Sequence, residues 1–213
     1  GENAAAAQQR GEYLRDKGYR VVGIVRRSST TPYDRIAHLI DRVELVSADL
    51  ILISGGSSVG RRDLTLTAIR DLPGCEILAH GVAMRPGKPT IMAAVGGAGG
   101  KPLLGLPGHP ASAAVVMEVL GRPLLRRLAG VAHPANWGAT LAARLSRNLA
   151  GAGGREDFVR VRLRYEGETL WADPVLGSSG LLSPMVKSDG MVMIPLGVEG
   201  LNRGTSVTVW LFR

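Results

Sequence analysis

Three short stretches of this chain hold residue types suited to gripping an anion. The first is Ser54-Gly55-Gly56-Ser57-Ser58-Val59-Gly60. Its glycines free backbone amides to cradle an anion, Ser57 and Ser58 add hydroxyl donors, and a helix read from near Asp63 would add its positive end. The second is Met84-Arg85-Pro86-Gly87-Lys88-Pro89. Two prolines stiffen that turn, so Arg85 and Lys88 are presented from a rigid backbone, as an oxyanion site requires. The third is Gly105-Leu106-Pro107-Gly108-His109-Pro110-Ala111-Ser112, a strand running into a helix opened by Pro110. Free amides at that helix start could bind phosphate, and His109 could serve as a general base. Each stretch also has an ordinary structural explanation: a Gly/Ser turn before a helix, a Pro-Gly turn, and a turn histidine. The first fits neither the P-loop nor the dinucleotide spacing, because no lysine follows its last glycine.

These loops need a scaffold that delivers them to one place. The pattern predicts a helix over 3–17 stopped by Gly18, a strand over 19–25, and a helix started by Thr31-Pro32-Tyr33-Asp34. Ile36, Leu39, Ile40 and Val43 fall on one face of that second helix. A buried-type strand over 49–54 leads into the first loop, a helix over 63–72 follows, and a strand over 75–83 comes after Pro73-Gly74. Residues 90–95 and 102–106 read as paired strands around a glycine-rich loop, and a long helix runs from Pro110 to about residue 129 with a kink near Gly121 to Pro123. The alternation predicts a three-layer α/β/α domain with a mostly parallel sheet over 1–136. Beyond a linker at 131–137 only strands are read, so 137–213 is expected to form a small all-β barrel. In it Val159, Val161, Leu163 and Tyr165 alternate with Arg160, Arg162 and Arg164, a half-buried strand with a basic outer face. Ser57, Ser58 and the helix start at 108–112 are expected in one cleft, on the C-terminal edge of the sheet.

Composition narrows the classes. The 213 residues are 45% apolar and 21% charged, ordinary proportions for a globular chain. No apolar run approaches the roughly 20 residues of a membrane span, and no secretory pattern opens the chain. One cysteine, Cys75, leaves no internal disulfide and no cysteine-built metal site, so a reduced, cytoplasmic protein is expected. The net charge is +8, and arginine supplies nearly all of the 26 basic residues. Arginine forks suit oxyanions, while the absence of basic stretches interleaved with aromatics argues against nucleic acid.

The order of five segments is more telling than any one of them. GGSSVGRRD from Gly55, VAMRPGKP from Val82, GLPGHPASA from Gly105, GREDFVRVRL from Gly154 and GSSGLLSPMVKSDGMVMIP from Gly177 together resemble the molybdopterin molybdenumtransferases, including the C-terminal region of gephyrin. The resemblance runs from about Gly11 to Phe212. It implies the third, pterin-binding domain and the fourth, small barrel domain of a four-domain protein. The expected activity is molybdenum cofactor biosynthesis, in which molybdate replaces the adenylate of adenylylated molybdopterin in a Mg²⁺-dependent step. By the family pattern Gly55, Gly56, Ser57, Ser58, Gly60, Pro107, Gly108, His109, Pro110 and Ser112 would hold the pterin and its phosphate. Asp63 matches an acid near the divalent ion and the phosphoanhydride. Arg85 and Lys88 match a basic pair, usually two lysines, associated with molybdate. Arg155 and Ser179 match polar residues facing the same cleft from the barrel domain.

The chain also departs from that pattern. A strand and a Thr-Gly-Asp-Glu turn usually precede the helix read at 3–17, Gly81 stands where a basic residue is common, and His109 replaces a usual asparagine. The family adds two N-terminal domains, one of which completes the cleft across a homodimer. A non-catalytic, pterin- or molybdate-binding regulatory module and a molybdopterin adenylyltransferase are the alternatives, the latter opposed by the all-β segment. A general nucleotide-binding domain is the reading least favoured by the loop spacing.

Overall fold

The computed structural model describes residues 48–54, 64–97, 99–133, 138–175 and 187–212. The helices and the strand expected before residue 48 lie outside these, as do Gly55, Gly56, Ser57, Ser58, Gly60, Asp63 and Ser179. The described residues fall into two compact units. One holds the residues up to His80 together with Pro89–Gly108, and the other holds Gly81–Lys88 together with His109 onward.

In the first unit the apolar run ahead of the first glycine loop forms β1 (Ile51–Ser54). Helix α1 (Leu64–Arg70) follows, then β2 (Glu76–His80), β4 (Ile91–Val95) and β5 (Lys101–Leu106). The strand β3 (Met84–Arg85) belongs to the other unit. The sheet order is β1-β5-β4-β2. Only the β1–β5 pairing is parallel among these strands, and β4 with β5 and β2 with β4 run antiparallel. The described sheet is therefore mixed, where a mostly parallel one was expected. The reason lies in the connection: a loop as short as 96–100 can only return the chain as a hairpin, since a parallel crossover needs a dozen residues or more. Ile69, Ile91, Ala93 and Leu103 are essentially inaccessible and pack with Ile53, Leu66 and Leu72 into one core. Leu104 and Leu106 are also buried, so both faces of β5 are covered.

In the second unit, Pro110 opens a continuous helical rod: α2 (Pro110–Val116), a π-helical turn (Met117–Gly121) and α3 (Arg122–Leu128). The predicted kink takes the form of that π turn. Pro123 has no N–H to give to the carbonyl one turn earlier, and the widened turn absorbs the missing bond. Next come β6 (Thr140–Leu145), β7 (Leu149–Ala150), β8 (Glu156–Glu166), β9 (Thr169–Pro174), β10 (Gly190–Ile194), β11 (Gly200–Leu201) and β12 (Ser206–Leu211). Strands β10, β12, β6, β9 and β8 pair in that order, and β8 pairs back to β10, closing a five-stranded barrel. Leu145, Val161, Ala172, Val192, Ile194 and Val209 point inward at the pleat's two-residue period and fill it.

Two details of β8 differ from the sequence expectation. Arg162 and Arg164 do face solvent, and Arg164 is answered by Asp173 and Glu166 at 2.7 and 2.8 Å. Arg160, read as part of the same solvated face, is buried, and desolvation pulls its guanidinium below the usual arginine range. Strand β8 also outruns its neighbour: β9 pairs with it only from Val161 onward, leaving Glu156 and Asp157 open on that edge. The two residues of β3 fill the gap, Met84 opposite Glu156 and Arg85 opposite Asp157.

Two consequences are measurable. Leu145 is fully buried in the barrel and Leu141 on the same strand is 43% exposed. Leu145→Ala should cost about 2–5 kcal/mol in denaturant unfolding. Leu141→Ala should stay within about 1 kcal/mol. Separately, burial raises the Cys75 thiol above its ordinary range. The folded chain then holds that proton longer than the unfolded chain does, so the associated stability is complete below about pH 8.5 and is lost as pH rises further. Unfolding measured against pH should show a fall above that point that Cys75→Ser lessens.

Candidate functional site

The geometry of the site begins with a carboxylate that the sequence reading passed over. Asp157 is only 1% exposed. An ionised carboxyl so far from water needs cations and donors around it. Arg85 supplies a two-point fork: Nη2 donates to Oδ2 at 2.8 Å, and Nε lies 2.8 Å from Oδ1. The Nε of Arg155 lies 3.4 Å from the same Oδ1, and the amide of Ala152 donates to Oδ2 at 3.0 Å. Neither approach to Oδ1 is aligned as a hydrogen bond, so charge rather than direction holds that oxygen. Arg85 also reaches the carbonyl of Ala150 at 3.5 Å.

The turn that carries Arg85 is built to stay put. The amide of Val82 donates to the carbonyl of Lys88, and the amide of Glu156 donates to the carbonyl of Ala83. Met84 is buried. Gly87 has φ near +129°, and a Cβ there would press on the Val116 side chain and on Met84. The turn thus lies against helix α2 on one side and strand β8 on another, with Lys88 exposed.

The third loop divides by exposure. Pro107 is buried, Gly108 and His109 are exposed, Pro110 is half-buried, and Ser112 is buried. His109 stands at the N-cap of α2 in an extended conformation, and its side chain makes no capping bond. Within the first unit, Ser54 and Leu106 are register partners on neighbouring parallel strands. The chain therefore leaves the sheet toward Gly55 and toward Pro107 from the same edge. The expectation that Ser57, Ser58 and Asp63 join this place concerns residues outside the described ones.

Residues 11–127 match the family described as a probable molybdopterin binding domain, and residues 142–212 match the MoeA C-terminal region, domain IV. The chain belongs to the molybdopterin molybdenumtransferase family. It is 33% identical over 209 residues to molybdopterin molybdenumtransferase 2 of Mycobacterium tuberculosis, covering 92% of this chain and 47% of that protein. It is 34% identical over 160 residues to the molybdopterin molybdenumtransferase of Synechococcus elongatus, covering 75% of this chain and 38% of that one. A molybdopterin biosynthesis MoeA protein from Pyrococcus horikoshii superposes with a TM-score of 0.74 at 32% identity, over 97% of this chain and 47% of its own. The chain spans less than half the length of each of these relatives.

For a molybdopterin molybdenumtransferase family member, the described structure brings together two of the expected site segments in one unit. Arg85 and Arg155 meet at Asp157, while Lys88 leaves the same turn. Asp157 was missed although it lies inside the GREDFVRVRL segment. The signal was its parity: it shares the inward face with Val159, Val161 and Leu163, so a charge at that position is buried and needs partners. The glycine of the turn offers a direct check. Gly87→Ala meets both a positive φ and a contact with Val116, and should lower unfolding free energy by roughly 1–3 kcal/mol. Gly130→Ala also has a positive φ but nothing within 4 Å of the added carbon, and should cost less in the same denaturant titration.

Proposed function

We propose that this chain carries the substrate-binding parts of a molybdenum-inserting enzyme, in which molybdate displaces AMP from adenylylated molybdopterin. The observation that carries the reading is the Ser54–Leu106 pairing, which starts the Gly55 loop and the Pro107 loop from one sheet edge. Two amide-rich loops leaving neighbouring parallel strands are the means by which an α/β sheet holds a phosphate. Gly55, Gly56, Ser57, Ser58 and Gly60 would grip the pterin phosphate from one loop. Pro107, Gly108, His109, Pro110 and Ser112 would do so from the other, and Ser179 would add a hydroxyl.

Arg85, Lys88 and Arg155 supply the cations that a molybdate dianion needs once it sheds water. Their guanidinium and ammonium groups would hold the oxyanion and take up charge as the phosphoanhydride opens. Asp63 would provide one carboxylate oxygen to Mg²⁺, with phosphate oxygens completing its shell, a donor set suited to a hard cation. The division into a pterin-binding part over 1–136 and a barrel over 137–213, a third helical layer, a homodimer and a cytoplasmic setting belong to the same reading.

A second reading, a regulatory module that binds the pterin without turnover, draws on Gly81. That position has φ near +92° and no side chain, where family members commonly place a base. An assay with adenylylated molybdopterin, molybdate and Mg²⁺ separates the two. Molybdate-dependent AMP release supports the enzyme, and pterin binding without AMP release supports the module.

Lys88 tests the oxyanion role. It is exposed and makes no ion pair among those found in the described residues. Lys88→Ala should weaken molybdate binding by about tenfold to a hundredfold in calorimetric titration, roughly 1.5–3 kcal/mol. Fold stability should move by no more than about 0.5 kcal/mol. Unchanged molybdate affinity would return Lys88 to the status of a solvated turn residue.

A further inference from the structure

We propose that Asp157 is a positioning residue for the oxyanion site, holding Arg85 and Arg155 side by side without touching the oxyanion itself. The inference rests on the reading of those two arginines as oxyanion ligands. Four observations support it. Asp157 is 1% exposed, so it is withdrawn from any ligand in solvent, whereas Arg85 and Arg155 keep 47% and 34% of their side chains accessible. The two arginines come from different parts of the chain, 70 positions apart, and share this one carboxylate. Arg85 meets the carboxylate at two points, a hydrogen bond from Nη2 and a close ionic contact from Nε, which together restrict the plane of the guanidinium. The Nε of Arg155 is buried and has no aligned acceptor, so its orientation also depends on the charge of Asp157.

The charge balance fits the same purpose. Arg85, Arg155 and Lys88 set against Asp157 leave two net positive charges, the complement of a dianion such as molybdate. Three cations without the carboxylate would repel one another and splay apart. A lysine at position 85 could pair with Asp157 through one point only, so the arginine found here gives the tie a direction as well as a charge.

The sign of one substitution decides the matter. Asp157→Asn keeps the shape and removes a negative charge near a site for anions. Simple electrostatics then predicts tighter anion binding, and positioning predicts weaker binding. The experiment titrates molybdate into this chain and its variants and follows deuterium uptake in the peptide covering 81–88. In Asp157→Asn, molybdate affinity should fall by at least about tenfold, and exchange at 82–88 should quicken by about as much. Asp157→Glu, which restores the charge, should recover part of both. Tighter or unchanged molybdate binding in Asp157→Asn overturns the proposal, and so does unchanged exchange at 81–88. Should Asp157→Asn fail to fold, Arg85→Lys asks the same question. It keeps the cation and loses the fork, so exchange at 81–88 should quicken, and unchanged exchange overturns the proposal. If the unmodified chain takes up no molybdate, the oxyanion reading fails, and exchange still reports whether Asp157 holds the turn.

Discussion

A carboxylate shut away from water has to be answered by nearby charge, and much of the second unit is arranged around that need at Asp157. Strand β8 carries it on the inward face of the barrel, at the end of a row of valines and a leucine that could not solvate it. The answer comes from Arg155 two residues before it and from Arg85 in a segment far earlier in the chain. Removing one partner of such a group typically costs several kcal/mol, because the remaining charge stays buried. The turn over 84–88 and the start of β8 are thus tied together by one electrostatic demand.

That arrangement explains why arginine suits position 85. A compact ammonium could neutralise Asp157, but it would leave the turn free to pivot about a single contact. The planar guanidinium sets two atoms against two oxygens, one as a hydrogen bond and one by charge, and still leaves nearly half of the side chain accessible. The cation of the turn with no ion pair among the described residues is then Lys88, three residues on and past the constrained glycine. One turn therefore presents two basic residues with different duties, one anchored and one available.

Much of this was legible in the sequence, and the exceptions have physical causes. Helix α1, the β4–β5 hairpin, the Pro110 helix and the inward residues of β8 follow from local periodicity and from glycine and proline punctuation, which are properties of neighbouring residues. The mixed sheet was not read, because parallel and antiparallel pairings look alike in an apolar run until the connection length is weighed. Strands β6 and β9 carry alanine, aspartate and proline, poor strand formers that take their conformation from the barrel around them. Arg160 escaped for a related reason. Burial of a charge is decided by what docks on the strand from elsewhere in the chain, and alternation reports only which face it takes. The five ordered segments pointed to the family, while the pairing of Arg85 with Asp157 had to be seen.

The overhang of β8 beyond β9 has a further consequence. An open stretch of strand edge, with its N–H and C=O groups unpaired, is a template on which any extended chain can add. In this fold the two residues of β3 occupy that stretch, so the basic turn also caps an edge that would otherwise invite a neighbouring molecule. Release of the turn would bare backbone as well as charge. Self-association through strand addition is then the natural fate of a chain whose turn has come loose.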